Sequence, residues 1–507
     1  MARKQRKMRS SRKSRQGTRT LSNAEGLREK LDWLLPDASI FAKVRFHGNV
    51  SWDAWSLVIL AIFWSWSEAR FVTDAFVAAS GWCRVLLGCS PLTTYQGFMG
   101  ALAKWTPQLL PIVITVLQQR MADLAPLGGK FYRVDQWVAI AFDGSRSSAA
   151  RTKSNEADFC AKNYGQGKTA KYRKKKTKGM RRTKNEKNPA QPQEPQAWIT
   201  MLWHMGLRLP WDWRLGPSNA SERDHVMAMV AEGRFPAWTL LCGDAGFIGY
   251  RFWSCIDQAG LSFLVRVGAN VSLLSEYASC RFEKIGKQQF VVCWPKEAIR
   301  TNQPPLRLRL LRTRIGKATM WLLTNVLDEH KLTRAMMERF YKMRWGVEVE
   351  FRGLKQTLDR AKLRCRNSKR LLAELNWSIL GMAVAELLAV KDQLTRRLKN
   401  TAARPKRAKG PRVCGPRAYD PSKRSLANTM RALRGCLRNL HETPQAGQDV
   451  TTLLANAVTD DYQRNGSKKA RYRPPNPDKK PLGNPVIRRL NKEEKLKLNR
   501  FDREKAA

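Results

Sequence analysis

Apolar residues in the first quarter of the chain form long runs without the alternation of a half-buried strand. The longest runs span residues 23–35, 52–80 and 109–124, and this pattern favours helices. Proline and glycine residues interrupt the runs, Pro107 among them, and we expect these to separate one helix from the next. The pattern therefore predicts a helical domain over residues 21–130, preceded by a basic arm at 1–20.

The pattern changes after Val134, where short apolar runs begin to alternate with helical segments. Residues 136–144 end in Asp-Gly and are predicted to form a buried strand that stops at Asp143. Residues 237–247 predict a second apolar strand, which ends at a turn containing Asp244. The other predicted elements are a hairpin of 197–209 and 211–215 across Pro210, a helix at 221–232 with Ser221 as N-cap, a helix at 250–260 and a strand at 261–268.

Alternating residues then predict a small antiparallel β unit over 271–327, formed by 281–294, 306–315 and 318–326. Helical patterns return at 332–360 and 370–394. The sequence thus predicts an α/β core in two parts, 131–270 and 328–396, on either side of a β insertion. The first part carries a basic loop at 151–190, and residues 397–507 are predicted to be a basic, largely disordered tail with one helix at 425–442.

The charge of the chain indicates a polyanionic partner. Its 507 residues include 93 Lys and Arg against 42 Asp and Glu, a formal net charge of +51, although 43% of residues are hydrophobic. A foldable chain with so large an excess most simply binds nucleic acid, whereas solubility alone rarely calls for it. The arm 1–20, the segment 171–188 and the C-terminal tail are the expected phosphate contacts.

The cysteines and the apolar runs argue against a zinc-binding protein and against a membrane protein. Ten cysteines are scattered with no CxxC pair, and only five histidines are present, which argues against a structural zinc site. Reduced cysteines predict a cytoplasmic protein, with an organellar transit peptide as the alternative for the basic N-terminus. The apolar run 54–66 is too short to cross a bilayer, so no membrane partner is expected.

Two carboxylates are expected to meet at one end of the predicted sheet. If the strands that end at Asp143 and Asp244 are neighbours, the carboxylates repel each other unless a cation bridges them. Hard divalent cations such as Mg²⁺ or Mn²⁺ prefer carboxylate oxygens. The alternative is that each aspartate only begins a turn.

The predicted helix at 332–360 carries a polar row. Residues three, four and seven apart fall within about 60° of one another on one helical face. The row consists of Tyr341, Arg344, Glu348 and Lys355. Such a face suits a metal and phosphate site, and the alternative is a solvated face with ion pairs within the helix.

Two other acids of this helix are less suitable. Glu350 lies on the opposite face and Glu338 at the edge of the row. Glu348 is therefore the predicted acid of the site.

The spacing Tyr341-x2-Arg344-x3-Glu348-x6-Lys355 resembles the Y-R-E-K signature of DDE-type bacterial transposases of the insertion-sequence-four family. Asp143-Gly144 and Asp244-x-Gly246-Phe247 are similar to the first and second Asp regions of that family. The order of helical region, Asp, Asp, β insertion and Glu agrees as well. Over about residues 130–395 the resemblance rests on these motifs and on the order of the elements. Over residues 21–125 it rests only on the position of a helical region before the first Asp.

The resemblance implies a ribonuclease-H-like core with a small antiparallel β insertion. In that core Asp143, Asp244 and Glu348 are the catalytic residues and hold two Mg²⁺ ions, with Mn²⁺ accepted, for an in-line phosphoryl transfer. It implies no organic cofactor. The implied DNA-binding residues are Arg344 and Lys355 on the transposon end, Tyr341 on the terminal phosphate, and Trp321 stacked on a flipped base. An aromatic residue in a β unit is otherwise a core residue, which is the alternative for Trp321.

The resulting prediction is a DNA transposase that cuts and joins transposon-end DNA. Its partners would be double-stranded DNA, as transposon ends and target, and a second copy of the chain, and it would lie at the nucleoid in the cytoplasm. The alternatives are a non-catalytic nucleic-acid-binding protein derived from a transposase, and a metal-dependent nuclease of the same fold.

Overall fold

A computed structural model describes most of the chain between residues 21 and 506. The described residues are 21–46, 50, 52–160, 194–277, 286–316, 318–402, 420–459 and 482–506. The predicted arm 1–20, the basic segment 171–188 and most of the loop 151–190 lie outside them.

The N-terminal region is helical, as the apolar runs predict. Its helices are α1 (Asn23–Leu34), α2 (Ala54–Trp66), α3 (Val72–Leu87), α4 (Tyr95–Asp123) and α5 (Ala125–Tyr132). Side chains of Ser22, Asp53 and Thr94 accept N–H bonds from the first turns of α1, α2 and α4, which explains where these helices begin.

Two predictions for this region are wrong. The run 52–80 is two helices, because the chain leaves the helix at Ser67 and enters α3 only after Phe71. Pro107 does not end a helix, since α4 continues through it and through Pro111. The Thr106 hydroxyl bonds the Leu102 carbonyl, and burial of this part of α4 offsets the backbone bond that a proline removes.

Ten strands form one continuous sheet in the order β3-β2-β1-β4-β5-β9-β8-β7-β6-β10. The strands are β1 (Val138–Ser148), β2 (Gln196–His204), β3 (Leu209–Gly216), β4 (Thr239–Gly243), β5 (Ser262–Val267), β6 (Ser272–Ser275), β7 (Gln288–Cys293), β8 (Leu306–Ile315), β9 (Ala318–Thr324) and β10 (Val486–Arg489). β1, β2 and β3 pair antiparallel, whereas β4 and β5 join β1 in parallel. β9 pairs antiparallel with β5, so the predicted β insertion extends the central sheet.

Two strand boundaries differ from the prediction. β1 does not stop at Asp143 but continues to Ser148, because β2 supplies hydrogen-bond partners from Asp143 to the end of the strand. The hairpin turns at 205–208 and not at Pro210, which lies inside β3. Because β3 is an edge strand, a proline without an N–H is tolerated there.

Helices cover both faces of the sheet. They are α6 (Lys153–Phe159), α7 (Glu222–Ala231), α8 (Tyr250–Gln258), α9 (Lys296–Arg300), α10 (Arg334–Met343), α11 (Gly346–Gln356) and α12 (Ser368–Ala402). The single helix predicted over 332–360 is in fact two, α10 and α11, which meet at Arg344 and Trp345. α12 is the central buried helix, and α2, α4, β3 and α11 all contact it.

By length and composition alone, α4 and the Ser368–Arg397 part of α12 could cross a membrane. In α12, 89% of the apolar window is buried inside this chain. The core helix of a soluble protein passes the same test, so the two helices are weak evidence for a membrane.

The region beyond residue 397 holds more structure than the single predicted helix. That helix is α13 (Leu426–Arg438), and α14 (Val450–Ala455) and α15 (Lys492–Ala506) follow it. α13 and α14 pack on α12 and α1, and β10 pairs in parallel with β6 at the sheet edge. α15 covers a small separate apolar cluster that includes Trp294 and Leu498.

Candidate active site

Asp143 and Asp244 are neighbours at the point where the parallel part of the sheet ends. β1 and β4 pair in parallel up to Ala141 and Cys242, and the same register carried two residues further sets the aspartates side by side. Adjacent strands lie about 4.8 Å apart. The prediction that these two carboxylates meet at one sheet edge is therefore consistent with the strand register.

The turn after β4 is built around Asp244. Its Oδ1 accepts the Gly246 N–H at 2.7 Å, and its carbonyl accepts the Phe247 N–H at 3.3 Å. The Phe247 ring packs edge-on against Phe142, with centroids 4.4 Å apart. The Asp-x-Gly-Phe pattern thus fixes the carboxylate by a local turn and anchors that turn in the core.

Helix α11 brings Glu348 to the two aspartates. The helix lies close against β2, because a Cβ at Gly346 would lie 2.0 Å from the Cη2 atom of Trp203. The Trp203 indole N–H also donates to Glu350 Oε2 at 3.2 Å. Gly346 and Glu350 form the face of α11 that contacts β2. Glu348 is exposed in the first turn of the same helix.

The three carboxylates act on one another electrostatically. Burial raises the pKa of Asp143 to about 6, with further increases from the charges of Asp244 and Glu348. The Gly144 N–H, which donates to Asp143 Oδ1 at 2.8 Å, and the nearby Arg344 guanidinium lower this pKa. Arg344 Nη1 lies 3.7 Å from Asp143 Oδ2, so one buried cation faces the acidic group.

The other residues of the predicted polar row also lie near the acids, although the helix is interrupted. Lys355 Nζ donates to Ser145 Oγ at 2.7 Å, two residues along β1 from Asp143. The Tyr341 ring lies 5.5 Å from the Arg344 guanidinium carbon. Tyr341 and Arg344 are only 2% and 3% exposed, so in this conformation they line the interior side of the site.

Trp321 is buried and pairs with Val267 at the carboxyl end of β5. It is 6% exposed, its indole N–H donates to Asn484 Oδ1 at 2.9 Å, and Arg312 lies 5.6 Å from its ring centroid. Trp345 is an exposed aromatic residue, at 52%, three positions before Glu348 in the break between α10 and α11. Trp345 is not among the residues predicted from the sequence, because a continuous helix gives no reason to expect an exposed tryptophan there.

A fourth carboxylate, that of Glu222 in the first turn of α7, lies close to the pair. Burial raises its pKa to about 7, and the charges of Asp143 and Asp244 raise it further. The helix that carries Glu222 is predictable from the sequence but this contact is not, because it joins segments about 80 positions apart. The Gly after Asp143 is the one local signal, since it leaves room for a neighbouring side chain.

The remaining candidate acids and histidines have other partners. Glu350 is buried beside Glu386, and burial raises its pKa well above the usual range. Glu338 bonds Thr313 and Arg334. His204 is buried with its pKa lowered to about 4, and His225 Nδ1 lies 2.9 Å from the Thr200 hydroxyl.

The donor set suits a hard divalent cation by its chemistry. Asp143, Asp244 and Glu348 offer oxygen atoms only, and their mutual repulsion favours a bound cation. Among the residues that the structure describes, however, no three acidic, histidine or cysteine side chains converge closely enough to hold an ion as they stand. Side-chain rotation toward a shared centre would be needed to complete coordination.

Residues 138–382, which contain every residue of the site described above, match the model of the transposase DDE domain. No curated protein sequence matches the chain. A cryo-EM structure of the piggyBac transposase synaptic complex with hairpin DNA is similar to it at 12% identity and a TM-score of 0.36, over 87% of this chain and 84% of that chain. The domain match supports a DDE-type transposase.

Proposed function

We propose that this protein is a DNA transposase that cuts and joins the ends of a mobile element through a site formed by Asp143, Asp244 and Glu348. The observation that carries the proposal is that three distant segments, all within the matched DDE domain, bring Asp244 and Glu348 close enough to Asp143 for their charges to act on it. Membership of the insertion-sequence-four family, with its Y-R-E-K signature, is part of the proposal.

The strand order supports a ribonuclease-H-like core. Three antiparallel strands, β3, β2 and β1, are followed by the parallel strands β4 and β5, with α7 between β3 and β4 and α8 between β4 and β5. In an α/β sheet of this kind, ligands bind beyond the carboxyl ends of the parallel strands. Asp244 lies at that end, directly after β4, with Asp143 beside it. The strands β6 to β9 would then be the family's β insertion.

Asp143, Asp244 and Glu348 would hold Mg²⁺, or Mn²⁺ in its place, as a pair of ions. Such ions activate the attacking hydroxyl and stabilise the leaving oxygen of an in-line phosphoryl transfer. The chain's own residues orient this centre: the Gly144 and Gly246 N–H groups each hold one aspartate oxygen, and Arg344 balances the charge of Asp143.

Positive charge and exposed aromatic surface beside the acids would contact DNA. Lys355 is half-buried next to Ser145 and would reach a phosphate, and Trp345 is placed to touch an unpaired base. Arg344 and Tyr341 would reach the DNA end only after a local rearrangement, and Trp321 only after residue 484 moves away. The proposed partners are double-stranded DNA and a second copy of the chain, and the proposed location is the nucleoid.

The decisive experiment replaces Glu348 with Ala and uses Glu297→Ala, an exposed acid on α9, as the matched control. The substrate is supercoiled plasmid carrying the DNA that flanks this gene. We expect Glu348→Ala to lose Mg²⁺-dependent nicking and to keep salt-sensitive DNA binding, and Glu297→Ala to keep both.

Cleavage that survives in Glu348→Ala would contradict the site. A wild-type protein that binds these ends but never cuts them, even with Mn²⁺, would favour the non-catalytic alternative. Cutting without any joined product would favour the nuclease.

A further inference from the structure

Helix α7 crosses the sheet on the face opposite to α11. The Ser221 hydroxyl accepts the Asp224 N–H at 3.2 Å, so the helix begins at Glu222. Farther along, His225 contacts the Thr200 hydroxyl of β2, and Thr200 is the cross-strand partner of Gly144. α7 is thereby held over the glycine that follows Asp143.

Alternation along β1 puts Asp143 and Gly144 on opposite faces of the sheet. Ser145, on the same face as Asp143, bonds Lys355 of α11, whereas Gly144 faces α7. A Cβ built on Gly144 would lie 2.0 Å from Glu222 Oε1 and 2.6 Å from its Cδ. The Glu222 carboxylate therefore fills the space that any side chain at position 144 would occupy.

The Glu222 carboxylate lies close to the two aspartates, beside the backbone of the residue that follows Asp143. The charges of Asp143 and Asp244 both act on it, and Arg146 is the cation that opposes them. Arg146 is exposed and lies over the Trp198 ring at 4.3 Å. Glu222 forms no hydrogen bond or ion pair within the described part of the chain, so its oxygens are available to a ligand.

We infer that Glu222 is a fourth carboxylate of the active site, which binds a divalent cation together with Asp143 and Asp244 from the sheet face opposite to Glu348. This inference rests on the proposed function. Asp143 then lies between two groups of acids, one completed by Glu348 and the other by Glu222, and a pair of ions needs two such groups.

The test measures Mn²⁺ binding to the full-length, DNA-free protein by electron paramagnetic resonance. The variant is Glu222→Gln, and Asp224→Asn is the matched control, because it removes one charge from the same turn of α7 at an exposed position. Loss of a ligand should weaken binding by at least the ~10-fold that loss of an outer partner costs. We expect this for Glu222→Gln and wild-type affinity for Asp224→Asn.

A second variant displaces the Glu222 carboxylate without replacing Glu222 itself. Gly144→Ala leaves Glu222 in the sequence but displaces its side chain, so it should weaken Mn²⁺ binding as Glu222→Gln does. Circular dichroism melting checks that each variant is folded.

Asp244→Asn separates the two proposals. If Asp244→Asn weakens Mn²⁺ binding and Glu222→Gln does not, the inference about Glu222 is wrong and the proposed function stands. If neither variant changes Mn²⁺ binding, the metal site of the proposed function is wrong as well.

Discussion

At the scale of single residues, the site is held in an electrostatically unfavourable state. Asp143 is largely buried, and the charges of two other acids raise its pKa above the ordinary value. The charged form is therefore less stable in the folded protein than in the unfolded chain. A site that is strained in this way without a cation gains stability when one binds.

This strain predicts how stability depends on pH in metal-free buffer. Burial raises the pKa of Asp143 from its ordinary value of 3.8 to about 6 in the folded protein, so folding favours the protonated form. The stabilisation is present below pH 4, declines between pH 4 and 6, and is absent above pH 6. We expect Asp143→Asn to raise the free energy of unfolding at pH 7.5 by about 1–3 kcal/mol relative to wild type.

Urea unfolding in the presence of a chelator, at pH 4.5 and 7.5, measures this effect. Asp158→Asn, an exposed position on α6, is the control and should change neither value. Equal differences between wild type and Asp143→Asn at both pH values would contradict the explanation.

At the scale of elements, the position of Glu348 depends on the contact between α11 and β2. Gly346 lets the helix approach the Trp203 ring, and Trp203 in turn bonds Glu350 one helical turn along. The break between α10 and α11 places Trp345 outside and Gly346 inside. The orientation of Glu348, the proposed catalytic acid, is thus set by packing two residues away from it.

We expect Gly346→Ala to push α11 away from β2, because the new methyl group would overlap the Trp203 ring. Overpacking of this kind costs about 1–3 kcal/mol of stability, and the displaced Glu348 should abolish nicking. Gly81→Ala in α3 is the matched control, because a Cβ there meets nothing within 4 Å. Chemical denaturation and the plasmid assay measure both effects, and wild-type nicking by Gly346→Ala would show that this contact does not position Glu348.

At the scale of the whole molecule, the C-terminal region contacts the buried residues behind α11. Arg424 Nη2 lies 3.0 Å from Glu386 Oε1, and Arg424 also donates to the carbonyls of Leu207 and Arg208. Glu386 in turn faces Glu350, whose pKa it raises. One arginine therefore compensates two buried carboxylates.

We expect Arg424→Ala to destabilise the protein by about 3–5 kcal/mol, because it leaves a buried acid uncompensated. Adding Glu386→Gln should recover part of that loss, since the two residues are in contact. Urea unfolding of the two single variants and the double variant measures this coupling. Strictly additive losses would show that the ion pair contributes nothing.

Much of the architecture follows from the sequence alone. Local periodicity is enough to identify the N-terminal helices, the helix that Ser221 caps and the strand before Asp244, because hydrophobic spacing and caps act within a few residues. Motifs are also enough to predict the candidate acids Asp143, Asp244 and Glu348 and their order; the DDE domain match spans all three positions, and their catalytic role stays a prediction.

Only the tertiary structure decided the rest, because those features depend on partners distant in sequence. β1 extends past Asp143 because β2 pairs with it, and the insertion continues the main sheet because β9 pairs with β5. The position of Glu348 depends on the contact between Gly346 and Trp203, which lie far apart in the sequence. Glu222 contacts Gly144 because α7 packs on β1, and these two segments are also distant in sequence. Such hydrogen-bond partners and packing surfaces are set by the tertiary fold and produce no periodic pattern in the sequence.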